Sequence, residues 1–397
     1  MKCKITGDKL SPFMSFGKMP SANGFLDENN FDNEFFYEME VGFSSKVSLL
    51  QLNEFSNPVK VHNDRYPFYT SSSLNMKKHF NQFAHWLKEK YLHHGSKLIE
   101  VGSNDGTLLE NFKNTNIEAV GFEPSITIAE LANKKNIKTL SKFFNTQNLD
   151  EIKNFHSSVD VICSANVIAH IPDLKDVIKC VDKLLSSKGL LIFEEPYLGS
   201  MFSKISYDQI YDEHIFMFSI SSINKIFDLF DFQLVDVLPQ VTHGGSMRYV
   251  IGRKNKHKKN KIISKIIDDE QGKELDTIES CLEFKKACEL SKKMTIEKLN
   301  KFKENNKKIC GYAATAKSTT VLNYCGIGNN IIDYICDTTK EKIGKFSPGS
   351  HIPIVPVNKF HEEFPDVAFL FAWNHKEEIF SKEKKFKEKG GVWFSHV

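Results

Sequence analysis

The sequence predicts an α/β protein built on a doubly wound sheet, with a small β-rich module in front and a second α/β unit behind. Three observations predict it. The apolar run Leu98-Ile99-Glu100-Val101 passes straight into the turn Gly102-Ser103-Asn104-Asp105-Gly106, with a new helix expected from Thr107. Two further apolar runs, Ala119 to Ser125 and Val159 to Asn166, also end in small or polar residues. The same strand–turn–helix pattern returns at Lys308 to Thr320, Ile331 to Asp337 and Val367 to Asn374. Sheets of this kind bind ligands at the carboxyl ends of their strands.

Taken in order, residues 1–65 are polar, rich in Phe and short of helical periodicity. Phe13, Phe16, Phe25, Phe35, Phe36 and Phe43 predict an aromatic core. Asp64 to Ser73 is a loop by its Pro and Ser content. Leu74 to Leu92 has the apolar spacing of an amphipathic helix, through Phe80, Phe83 and Leu87. After Asn166 come a helix from Leu174 to Leu185, a strand from Gly189 to Pro196, and an aromatic insertion from Tyr207 to Phe218. Residues 253 to about 308 are rich in Lys and helical, with Leu275, Ile278, Leu282, Leu290, Met294 and Leu299 as the expected buried stripe. The expected divisions are 1–65, 66–252 and 253–397. On spacing alone, the turn after Tyr312 either binds a nucleotide or is scaffold.

Bulk properties narrow the function. The 397 residues suffice for two or three domains. Lys and Arg (53) nearly balance Asp and Glu (50), so nucleic acid is not an expected partner. The basic run Arg253 to Lys261 reads as a solvated linker. No apolar run approaches a membrane span, and the start lacks a signal-peptide core. The eight Cys are scattered, several in apolar stretches, as expected of reduced core thiols in a cytoplasmic protein.

The turn at Gly102 lacks the G-x-G-x-x-G spacing of a dinucleotide site. Its E-x-G-x-x-x-G pattern, Glu100 to Gly106, followed by the strand-end acid Glu123, resembles the S-adenosylmethionine site of class I methyltransferases. A nucleotide-phosphate turn and a bare tight turn are the alternatives. A Gly here lets a cofactor approach the backbone, and the Glu123 carboxylate can accept two ribose hydroxyls.

Tyr211-Asp212-Glu213-His214 carries the chemistry. Histidine is a base near neutral pH, a carboxylate can orient it, and a Tyr hydroxyl can donate to a developing enolate oxygen. His170, just past the third strand, can face the same cleft. His243 to Arg248 is a Gly-containing turn whose Arg can clamp an anion or pair on the surface.

The order of pieces resembles the sugar C-methyltransferase family, which methylates carbon 3 of nucleotide-linked 4-keto-6-deoxysugars. The matching stretches are Ser21 to Phe25, Glu100 to Leu109, Asn166 to His170, Tyr211 to His214, His243 to Arg248, Gly311 to Lys317 and Leu322 to Ile327. The resemblance implies a small zinc-bearing module, a class I methyltransferase (Rossmann-like) domain, and a C-terminal Rossmann-like domain that helps hold the nucleotide-sugar. It implies S-adenosyl-L-methionine near Glu100, Gly102, Ser103, Asn104, Glu123, Pro124 and Asn166. His214 is then the base, oriented by Glu213, with Tyr211, His170 and Tyr66 as donors to the enolate oxygen. His243, Arg248, Lys317, Asn323 and Asn374 fall on the nucleotide-sugar side. The family's two C-x-x-C pairs are reduced here to Cys3, with Thr6, Ser44 and Val47 at the other positions, so zinc is not expected. A monomer or small homo-oligomer is expected. The competing readings are a sugar O- or N-methyltransferase and a catalytically silent nucleotide-sugar-binding protein.

Overall fold

The computed structural model describes residues 1–55 and 69–397. Tyr66 and the first half of the loop expected at 64–73 lie outside the described residues.

Strands β1 (Ser11–Pro20), β2 (Phe36–Ser44) and β3 (Leu49–Leu52) form an antiparallel meander. Phe13, Phe16 and Phe43 are buried, while Phe35 and Phe36 are exposed, correcting their expected place in the core. The reason is register: β2 alternates Tyr37, Met39 and Val41 inward, so Phe36 faces out and Phe35 precedes the strand. Around Cys3 the module is held by apolar packing with Ile5, Leu10, Val47 and Leu49.

Helix α1 (Leu74–Lys90) starts at Ser73, whose hydroxyl caps the Met76 N–H, and buries Met76, Phe80, Phe83, Ala84 and Leu87. Strand β4 (Lys97–Val101) enters the Gly turn. The helix expected from Thr107 is only a 3-10 turn, Leu109–Phe112. The side-chain amide of Asn111 bonds the Thr107 and Leu108 carbonyls that would propagate a helix, and Asn114 is left-handed (φ +62°). Next come β5 (Glu118–Phe122), α2 (Ile126–Lys134), β6 (Thr139–Leu140), β7 (Val159–Ala165), α3 (Leu174–Leu184), β8 (Leu185–Pro196), α4 (Leu198–Lys204) and the short β9 (Phe216–Met217). Then follow α5 (Ile220–Asp228), β10 (Phe232–Gln240) and β11 (Ser246–Arg253).

Among the described residues the central sheet runs β10-β11-β8-β7-β4-β5-β6, parallel from β8 to β6 and antiparallel at the other edge. Strand order reverses between β4 and β7, which opens a crevice at their carboxyl ends. Both faces of β4 are buried, as parallel sheets require: Leu98 faces α1, while Ile99 and Val101 face the opposite core.

Helices α6 (Ile262–Gly272) and α7 (Ile278–Glu304) lead to a parallel sheet. Its pieces are β12 (Ile309–Tyr312), α8 (Ala316–Cys325), β13 (Ile335–Asp337), β14 (Ile354–Pro356), β15 (Val367–Leu370) and β16 (Val392–Phe394). Strand order here is β14-β13-β12-β15-β16, with its own reversal beside β12. In α7 the buried positions are Cys281, Phe284, Cys288, Thr295 and Leu299. Leu282, Leu290 and Met294 are exposed, which corrects the expected stripe. All eight Cys are free and buried.

The three units share structure. Strand β9, from the aromatic insertion, pairs with β3 of the N-terminal meander. One core contains Phe13, Met39 and Leu50 of that meander, Met201 and Tyr207 of the central unit, and Val321 and Phe369 of the C-terminal unit. Among the described residues no helix is long and apolar enough to cross a membrane.

Candidate active site

The crevice between β4 and β7 holds the expected cofactor turn. Gly102 is left-handed (φ +71°), and a Cβ there would lie 2.3 Å from the Val167 side chain. The space that a side chain would take at Gly102 is therefore filled by Val167. Asn104 (φ +48°) donates its N–H to Glu123 Oε2 at 3.1 Å, and Ser125 donates to Oε1 at 2.9 Å. Burial raises the Glu123 carboxyl above its usual range despite those two donors. Pro124 follows, half-buried. The Asn104 and Asp105 side chains accept the Thr70 and Ser71 N–H groups at 2.9 and 3.1 Å, so the approach to α1 is strapped over the turn.

Around this turn three buried polar atoms lack hydrogen-bond partners among the described residues: Glu100 Oε2, Ser103 Oγ and Asn166 Oδ1. Burial raises the Glu100 carboxyl well above its usual value, reinforced by Asp105 and Glu123. Buried polar atoms are normally satisfied, so this set fits a ligand bearing amine and hydroxyl donors.

Asn166 (φ +57°) opens a tight turn at the end of β7 that ends at His170. The Glu195 carboxylate holds it, accepting the Val167 and Ala169 N–H groups at 2.9 and 3.1 Å. The Ala169 carbonyl accepts the Ile215 N–H at 3.0 Å. One turn therefore packs on Gly102 at one side and bonds the segment carrying His214 at the other.

His214 is buried, and its ring is held at both nitrogens. Nδ1 lies 2.6 Å from the Gln209 carbonyl oxygen and Nε2 lies 2.8 Å from the Tyr211 hydroxyl. A carbonyl only accepts, so Nδ1 carries the proton, and Tyr211 donates to a bare Nε2. Burial pushes the His214 pKa down to about 4, with Lys317 acting in the same direction; the Gln209 bond and Asp208 oppose it. Burial together with Glu213 and Asp212 holds the Tyr211 phenol well above its usual value, so it stays a donor. Glu213 Oε2 is 4.0 Å from His170 Nδ1, and Oε1 accepts the Asn23 amide at 2.5 Å. The expected orientation of His214 by Glu213 is thus corrected: the Gln209 carbonyl and Tyr211 fix that ring. The His170 and His214 ring centroids are 5.1 Å apart. Ser21 Oγ and the Ala22 N–H bond the Asp212 carboxylate at 2.8 and 3.1 Å, so the N-terminal module braces this segment.

Of the residues expected on the other side of the cleft, Lys317 sits in the first turn of α8, 3.4 Å from Asn374 Oδ1 and 5.0 Å over the Trp373 ring. Burial lowers its pKa. His243 is left-handed (φ +52°), with its pKa held well below normal by burial and then by Lys317. The next residue, Gly244, packs so tightly on Trp373 that a Cβ would come within 2.1 Å of it. The Asn323 amide donates to the Thr319 and Pro348 carbonyls at 2.8 and 3.0 Å. Arg248 is corrected. Its Nε and Nη2 reach Glu194 Oε1 at 2.7 and 2.5 Å, and the guanidinium lies over Phe83 and Trp86. His79 Nε2 adds a 2.6 Å contact to Glu194 Oε2. This is a buried ion pair, with no anion clamp.

Asn23, Gln209 and Glu195 escaped the sequence reading as site residues. Asn23 lay in a quoted motif without a role, Gln209 acts through a backbone carbonyl that no side chain signals, and Glu195 reads as an ordinary strand end.

The chain matches the model of a methyltransferase domain over residues 75–237 and that of a C-methyltransferase C-terminal domain over residues 241–397. It is 29% identical to C-methyltransferase NovU of Streptomyces niveus over 394 residues, covering 98% of this chain and 94% of that protein. Among solved structures, magnesium protoporphyrin IX methyltransferase from Synechocystis PCC 6803 with bound SAH aligns at 14% identity over 45% of this chain and 83% of that one, with a TM-score of 0.35. The YcgJ protein of Bacillus subtilis aligns at 12% identity over 45% and 100%, with a TM-score of 0.36.

Proposed function

We propose, on the premise that this chain belongs to the C-methyltransferase family, that it methylates carbon 3 of a nucleotide-linked 4-keto-6-deoxysugar. The observation that carries this reading is a neutral, buried imidazole whose bare Nε2 is set by Gln209 and Tyr211, one turn away from the Gly102 crevice. The ketone acidifies the carbon beside it. Once Tyr211 turns its hydroxyl from Nε2 to the enolate oxygen, His214 Nε2 takes that proton, and His170 supplies a further donor to the same oxygen. Tyr66 keeps that same proposed role. In this reading the divisions 1–65, 66–252 and 253–397 are module, methyl-transfer domain and nucleotide-sugar domain.

S-adenosyl-L-methionine, when bound, supplies a methyl group already activated on sulfonium. Glu123 would take the ribose hydroxyls, and Glu100, Ser103 and Asn166 present the acceptors that its polar groups need. Gly102, Asn104 and Pro124 shape that crevice. Lys317, with Asn374 beside it, offers a buried cation to the anionic nucleotide, and His243 lines the same edge. Fixing donors and base before the substrate arrives is what lowers the barrier.

The test is mass spectrometry and NMR of products formed from a panel of nucleotide-linked 4-ketosugars with ¹³C-methyl-labelled S-adenosylmethionine. The expected product carries label on carbon 3. Label on carbon 5, on oxygen or on nitrogen overturns the acceptor, and no cofactor binding at millimolar concentration by calorimetry overturns the enzyme.

A further inference from the structure

Asp208 is fully buried, and the proposed proton transfer does not use it. It sits in a short 3-10 turn, Tyr207–Gln209, inside the aromatic insertion. Both of its oxygens face the C-terminal unit, but only Oδ2 accepts a hydrogen bond from it. Trp373 Nε1 donates to Oδ2 at 2.7 Å, and His396 Nε2 lies 3.3 Å from Oδ1, with both the His396 and Asp208 side chains wholly enclosed. Burial pushes the Asp208 carboxyl up, but His396, Lys317 and the Trp373 donor outweigh it and leave it below its usual value. The same turn has three other ties to that unit. Thr320 Oγ1 donates to the Ile210 carbonyl at 2.9 Å, the Tyr207 hydroxyl is 3.4 Å from Cys325 Sγ, and the Tyr207 ring packs on His396 at 5.0 Å. The turn's own bonds are local, with Gln209 N–H on the Ser206 carbonyl at 3.2 Å, Ile210 N–H on the Tyr207 carbonyl at 3.0 Å and the Gln209 amide on Ser206 Oγ at 2.7 Å, so its placement against the C-terminal unit comes from these ties.

The residue after Asp208 is Gln209, whose carbonyl fixes the His214 tautomer. We infer that Trp373 and His396 are positioning residues for methyl transfer: by anchoring Asp208 they place the Gln209 carbonyl, and so keep His214 protonated on Nδ1 and bare on Nε2. The inference rests on His214 being the base. Loss of the anchor lets the carbonyl drift, the imidazole then populates the Nε2–H form, and that form cannot accept the substrate proton. A misplacement of about 1 Å in such a constellation costs on the order of 10²-fold in rate.

The test uses the full chain with His396→Ala, His396→Gln and Trp373→Phe. Trp373→Phe removes the N–H together with part of the ring that packs on Gly244, so thermal unfolding of each variant is run beside the kinetics. His396→Gln keeps a donor within reach of Asp208. Steady-state kinetics is run beside ¹⁵N NMR of histidine-labelled protein, with the His214 signal assigned by its absence in His214→Asn. Expected are a kcat lowered roughly 10- to 100-fold in His396→Ala and Trp373→Phe, KM for both substrates within about 3-fold, and an Nε2–H component in the His214 spectrum. Recovery of kcat to within about 5-fold in His396→Gln is also expected. An unchanged kcat, or a lowered kcat with the His214 tautomer intact, overturns the inference. So does failure of His396→Gln to recover either readout. Native turnover in His214→Asn sinks the base assignment instead, and the tautomer signal still judges the anchor by itself.

Discussion

The Nδ1–H of His214 points at the Gln209 carbonyl oxygen across 2.6 Å, from within one short segment of chain. That contact decides which nitrogen can work as a base. His214→Asn is expected to keep cofactor affinity while losing methyl transfer and solvent deuterium exchange at carbon 3, with a rate loss on the order of 10²–10⁴. Calorimetry and NMR of the exchanged proton measure the two arms. Near-native turnover would remove His214 from the role.

The His214 pKa, near 4, also sets a pH dependence. An imidazole held neutral in the fold but free to charge when unfolded binds more protons in the unfolded state. Its contribution to stability is therefore complete above the unfolded value of about 6.5, and is lost as pH falls from there toward 4. The loss for this one group is on the order of 3 kcal/mol. His243 and His375, also lowered by burial, act in the same direction. Urea unfolding of the wild type and His214→Asn at pH 7.5 and 5 should show a smaller acid-side loss in the variant; equal losses contradict it. Turnover limited by this base should show no acid limb of its own between about pH 5.5 and 8.

Arg248 with Glu194 makes a prediction that a substrate clamp would not. Arg248→Met leaves Glu194 buried with only His79, so stability should fall by about 3–5 kcal/mol. KM for the nucleotide-sugar, measured in the cold where the variant is folded, should stay within about 3-fold. A KM raised tenfold with unchanged stability would restore the clamp.

At Gly102 both the left-handed backbone and Val167 oppose a side chain. Gly102→Ala should lower stability by about 1–3 kcal/mol. Adding Val167→Ala relieves the collision and leaves the backbone strain, so about half of the loss should return in thermal unfolding. No recovery would assign the whole effect to φ.

What the sequence disclosed was the part carried by long apolar runs. Strands β4, β5, β7 and β8 and helix α1 were legible because a buried strand or a one-faced helix must show its period. The Tyr211–His214 cluster and its meeting with His170 were legible because the residue types are rare together. The buried face of α7 was not, since Cys281 and Cys288 weigh less in a hydrophobic pattern than the exposed Leu290 and Met294. Nor was the 3-10 turn after Gly106, where one Asn side chain competes with the backbone for carbonyls. Arg248 could pair or clamp on local evidence. Only the fold brings Glu194 of β8 opposite it on β11, in register.

The pairing of β3 with β9 has a practical side. The edge that the N-terminal meander covers belongs to the same loop as the proposed base, and Ser21, Ala22 and Asn23 grip Asp212 and Glu213 of that loop. A chimera that imports a foreign front module would therefore also import a different seat for the imidazole. Grafts meant to change the acceptor should move residues 1–55 and 207–218 as a single cassette.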